Sequence, residues 1–256
     1  MLDKLKTSIF NQLSGKKAVL FWSGGFESTF LLNFFLQNKV QEICDLKVIA
    51  VTFPQEIYVW EQVDKLKRFG ETNGINFVVL TPKETISHDY PYTAACGKCK
   101  DIRRKIILEY LHHGTLNSRE NTVYVTGHNL DDLASYTIEL IAKKFDGDYG
   151  ENRNRFLECS NKFYETFNYS DTITLFRPLA TYSKRELVKH SVKNSQFAIV
   201  NKKCYWSNQR KRTLQNYFDM GKIALSYDKV EKVFLQNFEM ASDEEYRSIP
   251  FDTYLM

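Results

Sequence analysis

The sequence predicts an α/β fold, a parallel sheet with helices on both faces, on three observations. Short runs rich in Val, Ile, Leu and aromatic residues recur along the chain, as strands buried on both faces require. Longer amphipathic stretches separate them and are long enough to serve as the crossovers that parallel pairing needs. Glycine-containing junctions follow two of the apolar runs directly, at Ser23-Gly24-Gly25 and at Gly127-His128-Asn129, where a strand must turn into a helix.

Taken in order, Leu2, Leu5, Ile9 and Leu13 fall near helical spacing and predict a first helix packed on the body. Strands are predicted at 17–22, 46–53, 75–81, 122–127 and 173–177. Helices are predicted near 28–38, 56–71, 99–113, 131–144, 183–195, 207–219 and 227–240. Between Asp146 and Ser170 the stretch DGDYGENRNR breaks the periodicity, which predicts a loop with a short helix around 156–167. The chain is helical in pattern from about residue 180, so residues 1–180 are expected to form the main domain and 181–256 a small helical C-terminal part.

A chain of 256 residues with 43% hydrophobic content can bury a full core, which argues against disorder. Its formal charge of +4, from 35 basic and 31 acidic residues, is too mild to announce a nucleic-acid binder, so local clusters matter more than the total. No apolar run approaches the ~20 residues of a membrane span, and the N-terminus lacks a signal peptide's apolar block, so a soluble, cytoplasmic protein is expected. Five cysteines, an odd number without an export signal, argue against a disulfide framework. Cys44 and Cys159 read as packed or surface thiols, whereas Cys96-x-x-Cys99 points to metal, cluster or redox chemistry.

A glycine-rich turn lets the backbone approach an anion closely, and the helix after it presents unpaired N–H groups and a positive dipole end. Ser23-Gly24-Gly25-Phe26-Glu27-Ser28 therefore reads as a phosphate cradle, with hydroxyls at both ends. It is neither a Walker loop, since no Gly-Lys-Ser/Thr follows, nor the dinucleotide fingerprint, which needs a third glycine. After Cys96 and Cys99 a helix carries Lys98, Lys100, Arg103, Arg104 and Lys105, which favour thiolate and fit an anionic partner. The junction Gly127-His128-Asn129-Leu130-Asp131-Asp132 adds two acids that either cap their own helix or serve a site.

The glycine loop resembles the pyrophosphate loop, Ser-Gly-Gly-x-Asp-Ser, of the N-type ATP pyrophosphatases, with Glu27 at the Asp position. In order, this PP-loop, the Cys-x-x-Cys about seventy residues on, the basic helix, Gly-His-Asn-x-Asp-Asp, the segment FRPLATYSKRELVKH and the Cys204 loop resemble the tRNA 2-thiolation enzymes, the 2-thiocytidine and 2-thiouridine synthetases. The resemblance spans roughly residues 17 to 220 and implies a Rossmann-like, adenine nucleotide α-hydrolase-like fold. It also implies an AMP-forming enzyme that adenylates a nucleobase carbonyl with ATP, releases pyrophosphate and then transfers sulfur.

Residue by residue, the resemblance implies that Ser23, Gly24, Gly25 and Ser28 hold the phosphates, with Gly127 and His128 beside them. Magnesium would sit near Glu27 and Asp132, and adenine near Val51 to Phe53, with Lys184 or Arg177 assisting charge neutralisation. Cys96, Cys99 and Cys204 would hold a [4Fe-4S] cluster by three thiolates, with zinc and persulfide chemistry as the alternatives for the same cysteines. The partners implied are tRNA, docked by its anticodon loop on basic residues around 98–105 and 202–212 with Tyr205 and Trp206 for stacking, a sulfur donor, and a second copy as a homodimer.

A second resemblance competes. The segments NRFLECSNKFYETF, RPLATYSKRELV and KKCYW are similar to the 7-cyano-7-deazaguanine synthases, which implies an adenylating ligase acting on a small heterocycle or a protein carboxylate. That family clusters four cysteines near its C-terminus, where this chain has Cys204 alone. Glu27 in place of Asp leaves a third reading, a degenerate nucleotide- or RNA-binding protein without turnover.

Overall fold

The computed structural model describes residues 1–51, 67–86, 92–114, 121–145, 153–191 and 225–255. Helix α1 (Leu2–Leu13) leads into β1 (Lys17–Trp22), α2 (Phe26–Gln37), a 3-10 turn (Val40–Glu42) and β2 (Asp45–Val51). Helical residues 67–72 (α3) precede β3 (Asn76–Leu80), α4 (Tyr92–Gly114), β4 (Thr122–Val125) and α5 (Leu130–Phe145). Then come α6 (Arg153–Asn161), β5 (Thr166–Asn168), β6 (Ile173–Phe176), α7 (Lys184–Ser191), α8 (Tyr227–Asn237), α9 (Asp243–Arg247) and a 3-10 turn (Phe251–Tyr254).

The strands form one six-stranded sheet in the order β3-β2-β1-β4-β6-β5, parallel except for the antiparallel pairing of β5 with β6. Side chains alternate across it, as strand geometry requires. Ala18, Leu20 and Trp22 of β1 enter one core, with Leu5, Ile9 and Leu13 of α1 and Leu31, Leu32 and Phe35 of α2. Val19 and Phe21 enter the other, with Leu133 and Leu140 of α5, Phe156 of α6, Phe234 of α8 and Tyr254. Both faces are thus covered, which explains the near-continuous apolar strands.

The predicted strands and helices that fall on described residues are present, with ends shifted by a few residues. Two differences are larger. The stretch read as a loop with a helix at 156–167 holds α6 at Arg153–Asn161 and then a strand, β5. Three residues are too few for a sequence period, and β5 exists by pairing Phe167 with Leu175 and covering the edge of β6. Helix α4 starts at Tyr92, well before the predicted 99, because Ala95 and Ile102 bury one face of it in the core. The predicted helix 207–219 and most of 56–71 lie outside the described residues.

Candidate functional site

β1 and β4 are neighbours in the middle of the sheet, yet the chain leaving β1 packs α2 on one face while the chain leaving β4 packs α5 on the other. This is the switch point where a parallel sheet opens a crevice at its C-terminal edge. After β1, Gly24 adopts φ +77°, a left-handed conformation that costs a side-chain-bearing residue about 1 kcal/mol or more. Gly25 is the N-cap of α2, and no side-chain bond caps it. The first-turn amides of α2, which no helical carbonyl can satisfy, are therefore left with the positive end of the helix dipole around them.

The two serines close the loop on itself. Ser23 N–H donates to Ser28 Oγ (3.2 Å), the two hydroxyl oxygens lie 3.0 Å apart, Gly25 N–H donates to Ser23 Oγ (3.2 Å), and Ser28 Oγ donates to Gly25 O (3.2 Å). A Cβ on Gly25 would stand 3.2 Å from Ser23 Oγ and 3.6 Å from Glu27 Oε2, so glycine keeps the mouth of the loop clear.

The junction after β4 touches this loop. A Cβ on Gly127 would lie 3.1 Å from Ser28 N and 3.4 Å from Glu27 Cβ, so any side chain there would push the two junctions apart by a few tenths of an ångström. Beyond it, Asn129 N–H donates to Asp132 Oδ2 and Asp132 N–H to Asn129 Oδ1, each at 3.0 Å, a reciprocal cap on α5. Thus Asp132 caps its own helix. Burial raises its carboxyl to about 6, against the pull of the Asn129 N–H, with the negative charge of Glu27 adding to the rise. Burial drives the His128 imidazole well below its usual range, helped by Lys162, Arg177 and Lys100, and its Nδ1 lies 2.9 Å from Thr126 Oγ1.

Glu27 gathers three elements. Its Oε1 accepts from Asn129 Nδ2 (3.4 Å) and lies 3.9 Å from Lys184 Nζ at the start of α7. Lys184 N–H in turn donates to Asp131 Oδ2 (2.6 Å). Arg177, expected as a further phosphate neutraliser, is instead fully buried, donating to Asn161 O, Asn161 Oδ1 and Tyr164 O. It clamps the turn between α6 and β5, and this corrects the sequence expectation.

Cys96 and Cys99 both lie inside α4, beyond its first turn, so the helix dipole contributes less to a thiolate than their sequence context suggests. Cys99 is half-buried and packs against the core, while Cys204, Phe53 and the basic stretch 202–212 lie outside the described residues. Val51 ends β2, buried at the same edge of the sheet as the glycine loop. Four of the basic residues of α4 are paired. Lys98 and Lys105 face Glu84 at 3.4 and 3.3 Å, whereas Lys100 and Arg104 reach Glu158 Oε1 at 2.8 and 3.0 Å.

Glu158 of α6 is the residue that sequence reasoning missed. Lys100, Arg104, Arg155 and Lys162 converge on its carboxylate. Burial alone would raise the group, but Lys162, Arg155 and Lys100 outweigh it and hold the carboxyl down at about 2. Lys162 itself is fully buried, and burial lowers its ammonium to about 8 despite Glu158. The i,i+4 spacing of Glu158 and Lys162 was the available signal, hidden because the segment lacked a clear period.

Among the described residues no group of three or more His, Cys, Asp and Glu side chains is placed to hold a metal ion, and no helix is long and apolar enough to cross a membrane. No family model and no curated protein matches the chain. Solved structures do. U34-tRNA thiolase NcsA from Methanococcus maripaludis, solved with its [4Fe-4S] cluster, is 17% identical at a TM-score of 0.53, covering 99% of this chain and 75% of that one. An NH3-dependent NAD synthetase from Campylobacter jejuni is 14% identical at a TM-score of 0.44, covering 92% and 91% of the two chains. With β1 and β4 framing the crevice and glycine junctions at both, the chain has a Rossmann-like α/β fold that it shares over nearly its whole length with that thiolase.

Proposed function

We propose that the protein is an ATP-dependent, AMP-forming enzyme that adenylates a nucleobase carbonyl of tRNA and then replaces the oxygen with sulfur. The observation that carries this reading is the contact of the two glycine junctions at the switch point, where the open first turn of α2 meets Gly127 and Glu27. The left-handed Gly24, the clear mouth at Gly25 and the uncapped amides fit a triphosphate. Val51, at the end of β2 on the same edge, suits a backbone contact to adenine. Ser23 and Ser28, bonded to each other here, exchange that bond for phosphate oxygens when nucleotide binds.

Glu27, which fronts the cradle, and the phosphates suit magnesium, which is commonly held by one or two carboxylates plus phosphate oxygens; Asp132, turned into its cap, stands behind Glu27. The bound cation would spread the charge that develops as pyrophosphate leaves. Lys184 then balances Glu27 from the side of α7. Positions 96 and 99, three apart in α4, share a helix face and suit two thiolate ligands of an iron-sulfur cluster, with Cys204 as the third. Such a cluster would present sulfur to the adenylated carbon. The solved thiolase with its [4Fe-4S] cluster and the 4-thiouridine synthetase solved with RNA and ATP, 14% identical at a TM-score of 0.45, act on RNA; only the first shares the fold closely enough to lend support.

The test is pyrophosphate release measured against total tRNA, deazapurine acids and no acceptor, with anaerobically purified protein. Release that depends on tRNA supports the reading, release that depends on a deazapurine acid replaces it with the ligase reading, and no release with any acceptor overturns both. Cys99→Ala is expected to abolish sulfur transfer while changing the ATP dissociation constant by less than about twofold.

A further inference from the structure

Adenylating the carbonyl of a lactam-type base leaves a proton to be removed. The carbonyl oxygen bonds the α-phosphorus, the α,β-bridging oxygen departs with pyrophosphate, and the neighbouring ring N–H must lose its hydrogen for the product to be neutral. The acids at the site are poorly free for this, since Asp132 Oδ2 accepts from Asn129 N–H and Glu27 Oε1 from Asn129 Nδ2. One helical turn beyond Asp132 on the same face of α5 stands Tyr136, half-buried, with its ring 6.4 Å from the His128 ring. The fully buried Lys162 places Nζ 3.2 Å from the Tyr136 hydroxyl and 4.4 Å from its ring centre. Among the described residues, no acceptor takes the phenol proton.

Resting on the adenylating reading above, we infer that Tyr136 and Lys162 form the proton relay of the reaction, Tyr136 touching the acceptor base and Lys162 positioning and recharging it from within the protein. In the relay the ring N–H gives its proton to Tyr136 Oη as the phenol proton passes to neutral Lys162 Nζ, which becomes ammonium. No free phenolate forms. This suits Tyr136, whose burial, with Asp132 and Cys159 adding, pushes the phenol well above its ordinary range.

Lys162 is faced by Glu158, Arg155 and Cys159 of its own helix and turn, by Lys100 of α4, by Tyr136 and Asp132 of α5, and by His128 at the junction. Burial brings the ammonium down to about 8 against the pull of Glu158 and Cys159, with Lys100 and Arg155 adding to the fall, so a neutral amine is present near physiological pH. The relay returns its proton to water through the half-exposed Tyr136 after product leaves.

Two measurements test this. In acceptor-dependent pyrophosphate release, Lys162→Met and Tyr136→Phe are expected to lower kcat about 100-fold, a typical loss for an acid-base group, with the ATP dissociation constant within about twofold. The wild-type rate is expected to rise with pH through about 8. Lys162→Arg, which cannot become neutral, is expected to be as slow as Lys162→Met at a temperature where circular dichroism shows both variants folded. A rate that rises through about 6 and survives Lys162→Met, but is lost in Asp132→Asn, assigns the proton to Asp132 and overturns the relay.

The second measurement needs no turnover. A carbon-13 titration of the lysine ε-carbons, assigned by the signal missing in Lys162→Arg, is expected to show Lys162 titrating near 8. An ordinary lysine midpoint overturns the relay even if pyrophosphate release is strong. Absent release with any acceptor overturns the adenylating reading instead.

Discussion

Glu27 and Lys184 face each other across the C-terminal edge of the sheet, Oε1 and Nζ 3.9 Å apart, tying the first turn of α2 to the first turn of α7. Both side chains are partly exposed, so the pair contributes at most about 1 kcal/mol to stability. Glu27→Gln is accordingly expected to shift the melting temperature by no more than about 4 °C. Its effect on ligands is larger. In calorimetry the variant should bind ATP about ten-fold more weakly with magnesium present and nearly as well as the wild type in chelator.

Gly127→Ala probes the contact between the two junctions. The added methyl would sit 3.1 Å from Ser28 N, and backbone on that side cannot swing away as a side-chain tip would. The first turn of α2 must move by a few tenths of an ångström. Expected is a loss of about 1–3 kcal/mol in urea unfolding, typical of overpacking, and an ATP affinity at least ten-fold lower. Gly97→Ala, whose Cβ meets nothing within 4 Å and which removes a glycine from inside α4, is the control that should leave ATP affinity unchanged and stability unchanged or raised by up to about 1 kcal/mol.

Glu158 predicts an acid-sensitive fold. Its carboxyl, held at about 2 against an ordinary 4.5, binds its proton less readily when folded. Its stabilising contribution is therefore complete above about pH 4.5 and is lost as pH falls toward 2. The shift corresponds to on the order of 3 kcal/mol. Glu158→Gln leaves four cations without their shared counter-charge and is expected to cost on the order of 3–5 kcal/mol at pH 7. Unfolding followed from pH 7 to pH 2 should show the variant's stability falling less steeply across that window than the wild type's.

Thiol chemistry separates the cysteines. Burial raises the Cys44 thiol to about 11, with Asp45 adding, and raises Cys159 to about 11 as well. Both are buried, whereas Cys99 is half-buried. Iodoacetamide at pH 8 on the folded, metal-stripped protein should modify Cys99 and leave Cys44 and Cys159 untouched over the same interval. Peptide mass mapping reads the result. Equal modification of Cys159 would show that α6 opens on the timescale of alkylation.

The middle of the sheet was legible in the sequence because β1, β2 and β4 bury both faces, so runs such as KAVLFW carry their own signal. The Ser-Gly-Gly and Gly-His-Asn junctions were legible because backbone approach to another group needs glycine, and Gly127 against Ser28 bears this out. What stayed hidden depends on partners far along the chain. Strand β5 exists through β6, the early start of α4 through core contacts at Ala95, and the neutralisation of Lys100 and Arg104 through Glu158, more than fifty residues away. A basic run on one helix looks the same in sequence whether solvent or a buried carboxylate faces it. For Asp132 the sequence left capping and a site role open as alternatives, and its reciprocal bonds with Asn129 show the cap.

Strand β1 is flanked by β2, which follows it at once, and by β4, which arrives some hundred residues later. On a ribosome the early partner is at hand while the late one is still unmade. The wall that completes the crevice is missing until the segment around Gly127 to Asp132 has emerged, so a nascent chain stalled before that point should be unable to retain nucleotide, and synthesis itself sets the moment at which the protein first becomes competent.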